Sequence, residues 1–140
     1  LHLAAAAGHE ATVEMLLDKG ASIEAKDDYK YEHKYGGPPL LVAAEWGQNA
    51  IVRLLLEKGA NIEAEDDNGL RALHWAVRGK KLDWNPTAGV HADMVRLLLE
   101  MGADFEAKDK RGRRPLWYAV DAGDEEVMKL LLEKGATPLS

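Results

Sequence analysis

The sequence predicts an all-α solenoid of stacked antiparallel helix pairs with β-hairpin fingers along one edge. Three observations predict it. The phrase L-L-x-x-G-A recurs as LLDKGA from Leu16, LLEKGA from Leu55, LLEMGA from Leu98 and LLEKGA from Leu131. A second phrase follows three of these copies: SIEAKDD from Ser22, NIEAEDD from Asn61 and DFEAKDK from Asp104. A third comes next, PPLLVAA from Pro38, RALHWAV from Arg71 and RPLWYAV from Arg114, with its tail also at Leu1–Ala5. Phrases recurring in a fixed order mark a repeat architecture, in which one unit cannot bury its apolar face alone and stacked copies can.

Each phrase has its own physical reading. MVRLLLE and its copies place apolar residues at i, i+3 and i+4, the pattern of an amphipathic helix. Gly20, Gly59, Gly102 and Gly135 follow these helices and are free to close the last turn. They lie 39, 43 and 33 residues apart. The last interval is a bare repeat, and the other two carry insertions, near residues 29–35 and 80–89. Pro39 and Pro115 suit a first helical position, where the missing N–H has no partner to lose. The Ala pairs downstream let a neighbouring helix come close. The polar stretch between Gly and Pro, rich in Asp and Gly, reads as a turn or hairpin. Asp93 is expected at the start of a second helix, where a carboxylate suits the positive helix end.

The pattern D-x-x-G-x-x-P-L-x-x-A-A with L-L-x-x-G-A at a 33-residue period resembles the ankyrin-repeat family. The resemblance covers essentially the whole chain, as four units: 1–26 without its hairpin, 27–65, 66–108 and 109–140. It implies an ankyrin-repeat solenoid forming a single domain over 1–140. The Glu-Ala-Lys-Asp wording is similar to that of ankyrin tracts in large fungal proteins. The family usually has Thr before the Pro as a helix cap, whereas Pro38, Arg71 and Arg114 stand there. Each lost cap costs about 0.5–2 kcal/mol. The family's His is kept at His2 and His74, where it is expected to be structural.

Composition bounds the function. Twenty-four acidic and 18 basic side chains give a net charge of −6, which argues against general binding to a nucleic-acid backbone. The absence of Cys excludes disulfides, thiolate metal sites and a Cys nucleophile. No apolar run approaches the ~20 residues that span a bilayer, and no secretory leader is visible. An intracellular, cytoplasmic protein is expected. Because Leu1 falls inside the third phrase, the chain is expected to be a fragment of a longer one.

No enzyme constellation is present: no G-x-x-x-x-G-K loop, no H-E-x-x-H pair and no G-x-S-x-G elbow. Ser occurs only at Ser22 and Ser140. Glu24, Glu63 and Glu106 fill one repeat slot three times, which marks them as framework. Neither catalysis, a cofactor nor a metal is expected.

The resemblance implies that a partner meets the hairpin tips and the inner face of the first helices. The tips here are Asp28 and Tyr29, then Asp67, Asn68 and Leu70, then Lys110, Arg111 and Arg113. Inner positions include Glu45, Trp46, Arg78, Asp121 and Ala122. Trp46 reads either as a groove anchor, since hot spots are rich in Trp, Tyr and Arg, or as packing between helices. In the first insertion Tyr29, Tyr31, His33 and Tyr35 alternate onto one face of an extended finger. That face reads as a binding surface, because Tyr offers contact area at low entropy cost, or as packing onto its own groove. The second insertion reads as a spacer loop with Leu82 and Trp84 against the helix ends.

Charge is uneven. Residues 1–70 carry 13 acidic and 6 basic side chains, and residues 71–140 carry 11 and 12. Lys110, Arg111, Arg113 and Arg114 cluster on the last hairpin. Arg78, Lys80 and Lys81 are expected to form a separate cluster a helix length away. Such clusters attract an acidic or phosphorylated partner, or are simply solvated faces. The predicted function is a protein–protein interaction module. The rival readings are a regulatory or substrate-docking tract of a larger enzyme or signalling protein, and a structural spacer array. A monomer is expected, with end-to-end self-association through uncapped terminal repeats as the alternative.

Overall fold

In a computed structural model, residues 1–26, 36–78 and 88–139 are described, with 88–91 described by backbone alone. Eight helices stand among them: α1 His2–Ala7, α2 Glu10–Asp18, α3 Pro39–Glu45, α4 Asn49–Glu57, α5 Ala72–Arg78, α6 Ala88–Glu100, α7 Pro115–Ala122 and α8 Glu125–Glu133. They form four helix pairs. The first helices stack in one row, α1 on α3 on α5 on α7. The second helices stack in a parallel row, α2 on α4 on α6 on α8, and each first helix packs on its own second helix.

The repeated phrases supply this packing slot by slot. Ala43, Ala76 and Ala119 occupy one position of the first helices and are all fully buried. A small residue in that slot suits the close approach of neighbouring helices. Leu55, Leu98 and Leu131 fill one slot of the second helices and are also fully buried. Truncating one of them to Ala removes about 2–5 kcal/mol. The equivalent Leu16, in the first repeat, is only partly covered. Pro39 and Pro115 open α3 and α7, as their residue type predicts. The four closing glycines all take positive φ, between 92° and 108°.

Between repeats runs a ladder of one carboxylate per unit. Glu24 Oε1 accepts the Asn61 amide at 2.8 Å, Glu63 Oε1 the Asp104 amide at 2.9 Å, and Glu106 Oε1 the Thr137 amide at 2.7 Å. The donors occupy equivalent positions, two residues beyond each helix-closing glycine. The framework reading of the three Glu thus has a concrete geometry. Arg71 and Arg114, which replace the capping Thr, turn to the same carboxylates. Arg71 pairs with Glu63 and also with Glu65, and Arg114 Nη1 lies 2.8 Å from Glu106 Oε2. Neither Pro38 nor Arg114 caps its helix with a side chain. At α5 the helix returns the favour: the Arg71 amide donates to His74 Nδ1 at 3.1 Å.

Two sequence expectations change. No strand occurs among the described residues. The fingers at 66–70 and 109–113 are tight turns, each closed within five residues by backbone hydrogen bonds. Asp66 N–H donates to the Leu70 carbonyl and Asp109 N–H to the Arg113 carbonyl, both at 3.0 Å. Five residues leave no room for a ladder, so the carboxylates described below take its place. Asp93 is the sixth residue of α6, beyond the first turn, because the helix begins as early as Ala88. Its carboxylate instead meets Arg96 at 3.2 Å.

Candidate partner-binding site

The third and fourth fingers are built on the same plan. Asp66 is 5% exposed, and its Oδ1 accepts the amides of Asn68 (2.9 Å) and Leu70 (3.0 Å). Its Oδ2 accepts the indole N–H of Trp75 at 2.9 Å. Asp109 is 6% exposed, and its Oδ1 accepts the amides of Arg111 and Arg113, each at 2.9 Å. Its Oδ2 accepts the Tyr118 hydroxyl. One buried carboxylate therefore holds each turn from inside, and an aromatic ring nine residues later holds the carboxylate. Gly69 takes φ +76°, and a Cβ there would lie 2.9 Å from the Lys110 nitrogen. That close approach lets the Lys110 amide donate to the Asn68 carbonyl at 3.0 Å, joining the two fingers.

His74 ties the fourth finger to α5. It is fully buried, and its Nε2–H donates to the Arg113 carbonyl at 3.1 Å while Nδ1 accepts from Arg71. Burial holds its pKa below the ordinary imidazole value. His2 makes the corresponding bond to the Gly37 carbonyl at 3.0 Å. Burial alone would raise the Asp109 carboxyl. The Tyr118 hydroxyl and the Arg113 and Arg111 amides outweigh it and hold the group below the usual carboxylate range. Burial, and then the bond to Asp109, push the Tyr118 phenol up.

Between these two fingers lies a cavity of about 220 Å³. Asn68, Lys110, Arg111 and Arg113 line it from the finger tips, Arg78 from the end of α5, and Asp109, Tyr118 and Leu70 from its floor. Two of the guanidiniums lie on aromatic rings. Arg78 stands 4.9 Å from the Trp75 ring centroid and 5.4 Å from that of Tyr118, and Arg113 lies 3.9 Å from that of Trp117. Such stacking uses the face of the guanidinium and not its N–H edge, and Arg113 also turns a side-chain donor to the Tyr118 hydroxyl. Among the described residues, no carboxylate lies within ion-pair distance of Arg78, Lys110, Arg111 or Arg113.

The structure brings five sequence-named tip residues together here: Asn68, Leu70, Lys110, Arg111 and Arg113. Leu70 differs from the expectation of an exposed tip. It is 4% exposed and belongs to the hydrophobic core, because Asp66 draws its amide inward. The basic cluster is also recomposed. Arg114 leaves it for Glu106, on the other side of the finger, and Arg78 joins it because the end of α5 reaches the finger bases. Trp46 stands apart, half-buried at the C-terminal end of α3. Tyr29, Tyr31, His33 and Tyr35 lie outside the described residues, as do Lys80, Lys81, Leu82 and Trp84. The roles of Asp109 and Tyr118 were not read from the sequence. The signal available was the spacing shared by Asp66 with Trp75 and Asp109 with Tyr118.

Among the described residues, no group of three or more His, Asp or Glu could hold a metal ion. No helix among them is long and apolar enough to cross a membrane. The family model for ankyrin repeats, described as three copies, matches residues 1–84 and 87–140. The chain belongs to the ankyrin-repeat family. Ankyrin repeats are generally protein–protein interaction modules and typically carry no catalysis. No curated protein matches the chain at a significant level.

Proposed function

We propose that the chain is a single ankyrin-repeat domain of four repeats that binds an acidic segment of a partner protein, with no catalytic step. The cavity between the third and fourth fingers is its main contact. The observation that carries this reading is the convergence of Arg78, Lys110, Arg111 and Arg113 on one concavity, in a chain whose net charge is −6. Such a local field steers an acidic segment to the cavity without attracting nucleic acid generally. The fingers are fixed by buried carboxylates, so little ordering entropy is lost on binding. The alternation of Tyr29, Tyr31, His33 and Tyr35 in the sequence supports a second contact on the finger of the second repeat, and Trp46 is a further anchor.

The test is selection from a displayed library of unphosphorylated peptides, run against the chain and against a Lys110→Glu/Arg111→Glu variant. Both side chains are exposed, and circular dichroism checks that the variant keeps its helices. Peptides enriched on the parent are expected to be rich in Asp and Glu, and to be lost on the variant. Enrichment without acidic bias, or equal enrichment on both, refutes an acidic partner at this site. No enrichment on either favours the spacer array.

A further inference from the structure

We infer that the cavity between the third and fourth fingers is a pocket for a phosphorylated side chain of the partner, an inference that rests on the acidic-partner reading above. The lining is richer in cationic donors than a carboxylate can use. A carboxylate brings one charge and two oxygens, whereas a phosphate monoester brings about −1.5 to −2 charges and three strong acceptor oxygens. The lining offers three guanidiniums and one ammonium, with the Asn68 amide as a neutral donor.

Their placement favours a tetrahedral group. Arg78 and Arg113 are positioned by the rings of Trp75, Tyr118 and Trp117, so their N–H edges are set before a ligand arrives. Arg111 and Arg113 are also fixed through their backbone amides on Asp109, and Lys110 through its amide on Asn68. The cations come from two separate elements: Arg78 from α5, the others from the fourth finger. At about 220 Å³ the space far exceeds the ~15 Å³ that one water needs.

Asp109 is the opposing charge. Its two oxygens accept three hydrogen bonds within the protein, which turn it toward the finger interior and leave the four cations in excess. Phosphate on a protein is favoured over phosphate in nucleic acid because the positive field is confined to this cavity. A polynucleotide needs basic contacts repeated along a path.

The experiment is a titration of the ¹⁵N-labelled chain, followed by NMR at 100 mM salt. The probes are inorganic phosphate and three otherwise identical pentapeptides with phosphoserine, Glu or Ser at the centre of four glycines. The expected result is that the phosphoserine peptide moves the amides at 110–113 and binds at least 10-fold tighter than the other peptides and free phosphate. Arg78→Ala and Arg111→Ala, each with a retained native spectrum, are expected to weaken it at least 5-fold. A Glu peptide that binds equally well overturns the phosphate inference and leaves the acidic-partner reading standing. Inorganic phosphate binding as tightly as the peptide assigns the pocket to the free anion and overturns it too. So does binding that survives both Arg variants, or no binding by any probe. The library selection decides the acidic-partner reading separately.

Discussion

Asp109→Ala isolates the buried carboxylate that shapes the fourth finger. Three donors end on Asp109: the Arg111 and Arg113 amides and the Tyr118 hydroxyl. A hydrogen bond to a charged group contributes about 1.5–3 kcal/mol when its loss leaves the partner buried. Arg111 is at an exposed tip, where water replaces the lost acceptor. Arg113 and Tyr118 are half-buried, so these two set the loss at about 3 kcal/mol. A chain of this length is stable by about 7–20 kcal/mol, so the variant still folds. Repeats contact only their neighbours, which confines the loss to the fourth unit. Native-state hydrogen exchange read by mass spectrometry is the assay. Protection is expected to fall in the 109–113 turn, α7 and α8, and to remain unchanged in α3 and α4. Asp109→Asn keeps an oxygen for both amides and is expected to lose only about 1 kcal/mol. The carboxylate's contribution is full above about pH 4 and is lost as pH falls through its lowered native pKa. That acid-induced loss is expected to be absent in the Asn variant. A loss below 1 kcal/mol for the Ala variant, or a loss spread evenly over all repeats, would refute the keystone role.

The native state resists protonation of His74, so its contribution is full above about pH 6.5 and declines as pH falls below that. In His74→Leu, urea midpoints are expected to be lower at pH 7 but flatter between pH 7 and 5; equal slopes for both proteins would count against the assignment. Leu41 already fills the equivalent slot, so Leu fits. For the Glu63–Arg71 pair, whose side chains are 31% and 24% exposed, a double-mutant cycle to Ala is expected to give about 0.5–1 kcal/mol of coupling; zero coupling would reduce the pair to coincidence. Gly69→Ala is expected to cost clearly more than Gly112→Ala in thermal unfolding. Both have φ +76°, which costs Ala about 1 kcal/mol, but only Gly69 would drive its Cβ against the Lys110 backbone, with nothing near Gly112 within 4 Å. Equal losses would show that the finger contact gives way freely.

The helix pairs were legible because one stripe of Leu and Val and one Ala slot recur in every unit. The cavity was half legible. Its tip residues were named because the D-x-x-G turns mark where fingers protrude, and position in a repeat fixes which way a tip points. Leu70 was misread because the Asp66 carboxylate accepts the Asn68 and Leu70 amides and so curls the finger inward. Arg114 and Arg78 exchanged places for a similar reason: adjacency in sequence says nothing about which side of a five-residue turn a long side chain leaves from. Arg114 follows the turn and meets Glu106, while Arg78 reaches it from another helix.

The fourth finger's binding groups and folding groups are the same residues, and this couples ligand to stability. The Arg113 amide is held by Asp109, its carbonyl by His74 and its guanidinium by Trp117, and the same side chain lines the cavity. A ligand that binds only this arrangement stabilises it by RT ln(1 + [L]/Kd), about 2.7 kcal/mol at 100-fold excess over Kd. Nearest-neighbour contacts limit how far that stabilisation travels. Saturating phosphoserine peptide is therefore expected to slow exchange most at 109–113 and in α7, less in α5, and hardly at all in α1 and α2. Uniform slowing along the chain would mean that the peptide acts through general charge screening. Slowing confined to α1 and α3 would place the ligand at the other end of the stack. The graded pattern alone requires an anion seated between the third and fourth fingers.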